Sequence, residues 1–429
     1  MTLIDLGELR DEPDREAPLP RPPRAVGRPL RVALVLALLV ATLAGAAPAP
    51  ERVSVVVPAR PGSEAFLAGD RFYVVEPAER EPEGAVEVRA YALPARAPAD
   101  GRAPAPLWRA RVPAAGRFWQ VQSVPGVVLF SVTGEQTFGE TLALDAATGR
   151  ERWRQPGHPW PDLAGTLLVQ TADSVRSVDP ASGRALWSVR TPPEGAHFGG
   201  VRDGLVKRIV LLTADGRAEV RDLRSGDLLH AADLLPDGQP AFGQTVVTDD
   251  LLLLVRHQAG ALTAYGLDGL RPRWEVRLPT VDYVSECGGL LCVGGPFVGF
   301  RVLDPATGAV RWTGEGWLGV LSGRGGRLLA VAPGPTTGER LGVLDAATGR
   351  QVADLGAWQL MPWHDDDRLL AVRPAASGGG LVVGELDVVA GRARVVDVLR
   401  DASGECRGGA EAVLCRLRTG EIGVWRLRS

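Results

Sequence analysis

Asparagine is absent from all 429 residues, and Lys207 is the only lysine among 48 basic residues. No Asn-linked glycosylation site exists in such a chain. The bias, arginine for lysine and no asparagine, is that of a GC-rich genome. Net basic charge is also lacking: the formal charge is −3, which excludes a bulk basic surface and argues against nucleic acid as a ligand. Only four cysteines are present. What the chain has in quantity is glycine (53) and proline (34), a combination that favours many turns over long helices. Hydrophobic residues at 45% are ample for a large core. The length is roughly three times that of one ordinary domain unless the fold is repetitive.

Near the start, Val32 to Ala47 (VALVLALLVATLAGAA) carries no charge, and Leu30 extends the run past Arg31. The run is short for a membrane span but sufficient, because Arg31 can snorkel and Pro48 marks the far end. A transmembrane helix is therefore expected over residues 30–48. Arg10, Arg15, Arg21, Arg24, Arg28 and Arg31 lie before it, whereas Arg52 and Arg60 are the nearest basic residues after it. By the positive-inside bias, residues 1–29 form a cytoplasmic leader and residues 51–429 lie outside the membrane. A cleaved signal peptide is the rival, since Ala44-Gly45-Ala46 resembles a cleavage site. The long leader with Asp5, Glu8, Asp11, Glu12, Asp14 and Glu16 argues for an uncleaved anchor. Its second half, APLPRPPRAVGRPLR, is Pro- and Arg-rich and reads as disordered. Ala33, Ala37, Ala41 and Gly45 give the span one small face that would suit a helix-mediated homodimer; abundant alanine explains that face equally well.

Beyond the anchor one phrase recurs. It reads ALDAATGRERW from Ala143 to Trp153, SVDPASGRALW to Trp187, VRDLRSGDLLH to His230, VLDPATGAVRW to Trp312 and VLDAATGRQVA to Ala353. A shortened copy ends at Trp274, and around Trp108 only the ending remains. Five intervals from Trp108 to Trp312 give a period of about 41 residues, the repeat length of propeller blades when the content is strand-like. In each phrase Asp145, Asp179, Asp222, Asp304 or Asp345 opens a turn with its own side-chain acceptor. Gly149, Gly183, Gly226, Gly308 or Gly349 then supplies the positive φ that reverses the chain. Trp153, Trp187, Trp312, Trp108 and Trp274 are expected to be buried in the wedge between sheets. His230 and Ala353 lack that ring, so their blades must pack differently. Apolar runs between the phrases, such as Val127 to Val132 and Leu251 to Arg256, suit strands buried on both faces. Strands before those runs often carry an aromatic: Trp119, Phe198, Phe242, Tyr283, Trp317, Trp358. Each unit thus reads as a four-stranded antiparallel meander, and residues 51–429 as one all-β propeller.

The phrase A-x-D-x-x-T-G-x-x-x-W, complete at Ala143, Asp145, Thr148, Gly149 and Trp153, resembles the tryptophan-docking motif of the pyrroloquinoline-quinone-like (PQQ-like) β-propeller repeat family. The chain looks like an actinobacterial, membrane-anchored member. The resemblance implies eight blades; the corners and strands also permit nine. The last piece, Cys406 to Leu427, shows two strands, and Val53 to Val57 could pair with it to close the ring. The short stretch from Pro156 to Trp187 is the candidate for a degenerate unit.

Cys287 and Cys292 flank one Gly-Gly, and Cys406 and Cys415 another, as expected of two disulfides across tight hairpins in an extracytoplasmic protein. The four have the wrong spacing for a zinc site. Quinoprotein dehydrogenases, as the resemblance implies, hold their quinone in the central funnel. They use a calcium ion with Glu and Asn ligands, a catalytic Asp and a ring of two adjacent cysteines. With no Asn and no adjacent cysteines, this chain is not expected to be an enzyme or to carry a cofactor. Trp363-His364-Asp365-Asp366-Asp367 reads as a solvated turn, because consecutive side chains on an extended chain diverge, so no metal site is expected. His158, His197, His230 and His257 appear in separate repeats with no nucleophile nearby. The glycines from Ser377 to Gly380 open no helix and read as a flexible turn.

The sequence therefore points to a membrane-anchored, extracytoplasmic propeller acting as a non-catalytic scaffold for a protein or cell-envelope ligand. A family resemblance to the propeller of the outer-membrane barrel-assembly machinery supports this role. The alternatives are a sensor that signals through the leader and a quinone-dependent oxidoreductase.

Overall fold

The computed structural model describes residues 34–36, 53–77, 85–95, 103–113, 116–133, 139–161, 166–192, 196–199, 208–213, 215–234, 244–257, 260–278, 281–295, 299–334, 339–362, 368–376 and 378–427. The chain divides into two units, Met1–Glu51 and Arg52–Ser429. In the first, Leu34, Val35 and Leu36 form an exposed helical turn. Among the described residues no helix is long and apolar enough to cross a membrane. The leader, the rest of the expected span and its small-residue face lie outside the described residues.

Among the described residues the second unit forms nine four-stranded antiparallel sheets. Eight are consecutive meanders: residues 64–113, 117–156, 158–190, 196–233, 244–277, 283–314, 319–357 and 359–400, here blades 1 to 8. Blade 9 takes three strands from the end of the chain, Ala402–Gly408, Ala412–Leu417 and Ile422–Arg426, and its fourth from the beginning, Ser54–Val57. Ser54 pairs with Trp425, Val55 with Val424, Val56 with Gly423 and Val57 with Ile422. The expected closure by the first strand is therefore present, but the ring has nine blades, not eight. The short stretch after Pro156 is a complete blade, with strands His158–Pro161, Leu167–Gln170, Ser174–Val178 and Ala185–Arg190. The innermost strand of blade 9, ASGECRG, was not legible because two register shifts break its ladder and its side chains do not alternate by polarity.

Closure is also visible in the core. Successive side chains of a strand point to opposite faces, so each blade contributes alternate residues to the two neighbours. Leu252 and Leu254 pack with Val210 and Val220 of blade 4, whereas Leu253 and Val255 pack with Val284 and Val293 of blade 6. The same arrangement runs round the ring until Leu414 and Val424 of blade 9 meet Phe72 and Val74 of blade 1. Nine apolar clusters, one between each blade and the next, hold the ring among the described residues. This is why the second strand of each blade reads as an uninterrupted apolar run: both of its faces are inside.

Candidate functional site

The repeated corner fixes neighbouring blades to each other. Asp145 Oδ1 accepts from the backbone N–H of Ala147 (3.0 Å) and Thr148 (2.8 Å) and from the Thr148 hydroxyl (2.9 Å). Arg152 holds its other oxygen at 2.5 Å. These donors keep the Asp145 carboxyl far below the usual range, with the Arg152 bond the largest cause. Asp179, Asp304 and Asp345 are lowered in the same way, led by Ser182, Arg311 and Thr348 respectively. Asp222 accepts from the N–H of Arg224 and Ser225 at 2.9 and 3.0 Å. The chain then turns at Gly149 with φ of 73°. A Cβ there would stand 2.4 Å from the ring of Trp108, so glycine is required twice over, for its dihedral and for the space.

That ring comes from the preceding blade. Trp108 of blade 1 lies on Gly149 of blade 2 and donates its indole N–H to the Ala146 carbonyl at 2.9 Å. Trp153 docks likewise on Gly183 with a bond to Pro180 (2.8 Å), and Trp187 on Gly226 with a bond to Arg224 (2.6 Å). Trp274 docks on Gly308 with a bond to Pro305 (2.8 Å), and Trp312 on Gly349 with a bond to Ala346 (2.9 Å). All five sit on the outermost strands of their blades; Trp108 and Trp153 are buried there, whereas Trp187, Trp274 and Trp312 are only half-buried. The expectation of uniformly buried rings is corrected to that extent.

Blades 4 and 7, whose phrases end in His230 and Ala353 instead of the ring, use different partners. His230 pairs with Val220 as Trp153 pairs with Ala143. In the next corner Leu270 stands where the glycine should be: its N–H bonds to the Gly266 carbonyl as that of Gly149 bonds to Asp145. Leu270 has φ of 54° and is buried among Val220, Leu234 and Leu252. A bulky residue in the corner has replaced the missing ring. At Ala353 the following corner keeps its glycine, and a Cβ on Gly391 would lie 3.0 Å from the Ala353 methyl.

Both disulfides are present, Cys287–Cys292 at the hairpin of blade 6 and Cys406–Cys415 between the two inner strands of blade 9. Trp363 to Asp367, Ser377 and Phe242 lie outside the described residues, where no group of three metal-ligating side chains occurs. Gly378–Gly380 lead into the strand Gly380–Asp387. His197 and His230 share blade 4, on its innermost and outermost strands, and so are not in separate repeats. His158 lies edge-on to Trp119 with ring centroids 5.5 Å apart, and burial pushes its pKa down, as it does that of His197.

Sequence reasoning missed a cleft of about 490 Å³ where the innermost strands of blades 9, 1 and 2 meet. Glu64 and Arg117 form an ion pair across blades 1 and 2. Arg416 of blade 9 binds Glu405 at 2.7 Å and donates to the Ser63 carbonyl. Arg407 lies with its guanidinium 4.3 Å from the centroid of the Phe66 ring and donates to the Trp119 carbonyl at 3.5 Å. Burial lowers its pKa. These residues are far apart in the sequence, and no local pattern marks them; ring closure alone brings them together.

A closed ring of four-stranded blades pinned by docked tryptophans is the architecture expected from the repeated phrase. Residues 95–278 match the family model described as outer membrane protein assembly factor BamB. Among solved structures, the computationally designed Ika8 protein is similar at 14% identity, over 73% of this chain and 96% of that one, with a TM-score of 0.48. BamB from Moraxella catarrhalis is similar at 13% identity, over 72% and 96%, with a TM-score of 0.39. No curated protein matches the chain.

Proposed function

We propose that the protein is a non-catalytic interaction scaffold, a rigid propeller held at the outer side of a membrane and presenting its faces to a protein partner. The observation that carries this reading is the match of residues 95–278 to a family described as an assembly factor. Rigidity supports it: nine inter-blade clusters and a first-to-last strand closure leave the loops as the variable part of the surface. The uncharged run from Val32 to Ala47, flanked on its amino side by arginines, supports anchoring by residues 30–48. The two disulfides support an oxidising compartment outside the cytoplasm. The quinoprotein donor set is not matched: asparagine is absent, and each disulfide joins cysteines separated in sequence.

Cross-linking the full chain in intact cells and identifying the linked proteins tests the scaffold. A reproducible envelope partner, lost when the ring is unfolded by mutation, is the expected result; no partner above control overturns it. Alkaline phosphatase fused after Ser429 should be active, and an inactive fusion contradicts the outer location. Titration with pyrroloquinoline quinone, calcium and an artificial electron acceptor should give no turnover; turnover would revive the oxidoreductase.

A further inference from the structure

We infer that the cleft between blades 9, 1 and 2 binds a single carboxylate group, with Arg407 as its anchoring cation. Three guanidinium groups line it, and two are committed: Arg117 to Glu64, and Arg416 to Glu405 and the Ser63 carbonyl. Arg407 makes no ion pair among the described residues. One face of its guanidinium is satisfied by the Phe66 ring, and one N–H by the Trp119 carbonyl at the long distance of 3.5 Å. A guanidinium has five N–H donors in a planar fork that matches a carboxylate. Arg407 is half-buried, and the donors outside that bond open into the cleft, where a carboxylate can take them.

The charge count selects the ligand. Among the described lining residues, three arginines against two glutamates leave one positive charge in excess, which one carboxylate neutralises. Its volume of about 490 Å³ exceeds what a carboxylate fills, so the group belongs either to a free organic acid or to the carboxyl end of an extended peptide. The site needs only the closed ring and does not depend on the scaffold reading.

Isothermal titration of the full chain in detergent with acetate, N-acetyl-trialanine and the C-terminal amide of that peptide tests the site. The acids should bind saturably and the amide at least about tenfold more weakly, a difference of about 1.4 kcal/mol. Tighter binding of the peptide acid than of acetate assigns a peptide end; equal binding assigns a free acid. Arg407→Met should weaken the acids at least about tenfold, with Arg407→Lys intermediate. Glu64→Gln frees Arg117 and should tighten them. The inference is overturned if neither acid binds below about 10 mM, if the amide binds as well as the acid, or if Arg407→Met has no effect. Should Arg407→Met fail to fold, the amide comparison and Glu64→Gln decide.

Discussion

A tryptophan on a glycine is the smallest unit that joins two blades, and its value depends on how much of the ring is inside. Trp153 is buried on Gly183 with its N–H bonded, so Trp153→Ala should cost about 3–5 kcal/mol. Trp187 makes the same contact half in solvent, so Trp187→Ala should cost clearly less; urea denaturation of both variants measures the difference. The Leu270 corner, which receives no ring, offers a second test. His230→Trp alone should destabilise, because Leu270 fills the place, and His230→Trp with Leu270→Gly should recover, with a coupling of about 0.5–3 kcal/mol in a double-mutant cycle. Additive effects would show that the two positions do not share a cell. The corner aspartates set a pH dependence. Their folded pKa values are depressed, so their contribution is full above the unfolded value and is lost as pH falls towards the folded one. The thermal midpoint should drop as pH falls below about 4, and Asp145→Asn should flatten that slope.

At the scale of the strand and hairpin, one disulfide acts where the ladder is disrupted. Cys406–Cys415 ties down an innermost strand broken by two register shifts, with Asp401 and Glu405 at positive φ. Reduction should lower stability by roughly 2–3 kcal/mol for each bridge, from the small loops they close. Replacing Cys406 and Cys415 by alanine should in addition disorder the strand that carries Arg407; hydrogen exchange of residues 402–408 reads this, and unchanged protection would contradict it. The elements that were legible in the sequence have a local physical reason to be so. An Asp acceptor, a positive-φ glycine and a large ring recur because each corner must satisfy the same backbone groups. The second strands are apolar throughout because both faces are covered. The innermost strand of blade 9 obeys no such rule: bulges remove its alternation, and Glu405, Cys406 and Arg407 line the cleft. Likewise the exchange of ring and glycine for His230 and Leu270 reads as a degraded repeat until the shared register is seen.

For the whole molecule, the number of blades follows from how the last sheet is completed, which no single repeat encodes. Counting Asp-Gly corners underestimates the ring because blades 1 and 9 lack that corner and blade 5 has Gly266 and Leu270 in its place, and a family resemblance supplied eight where the packing supports nine. The cleft was hidden for the same reason, since Glu64 and Arg407 become neighbours only on closure. Val57 is fully buried and Val55 nearly so at the seam, so Val57→Asp should open it and expose the edge of Ile422–Arg426, seen as aggregation and loss of cooperative unfolding. The most direct test uses the register itself. With Val55→Cys and Val424→Cys introduced together, peptide mapping without reductant should find residue 55 bonded to residue 424, beside the two native bridges. A free thiol at residue 55, or its bonding to another sheet, would contradict a nine-bladed ring closed by its first strand.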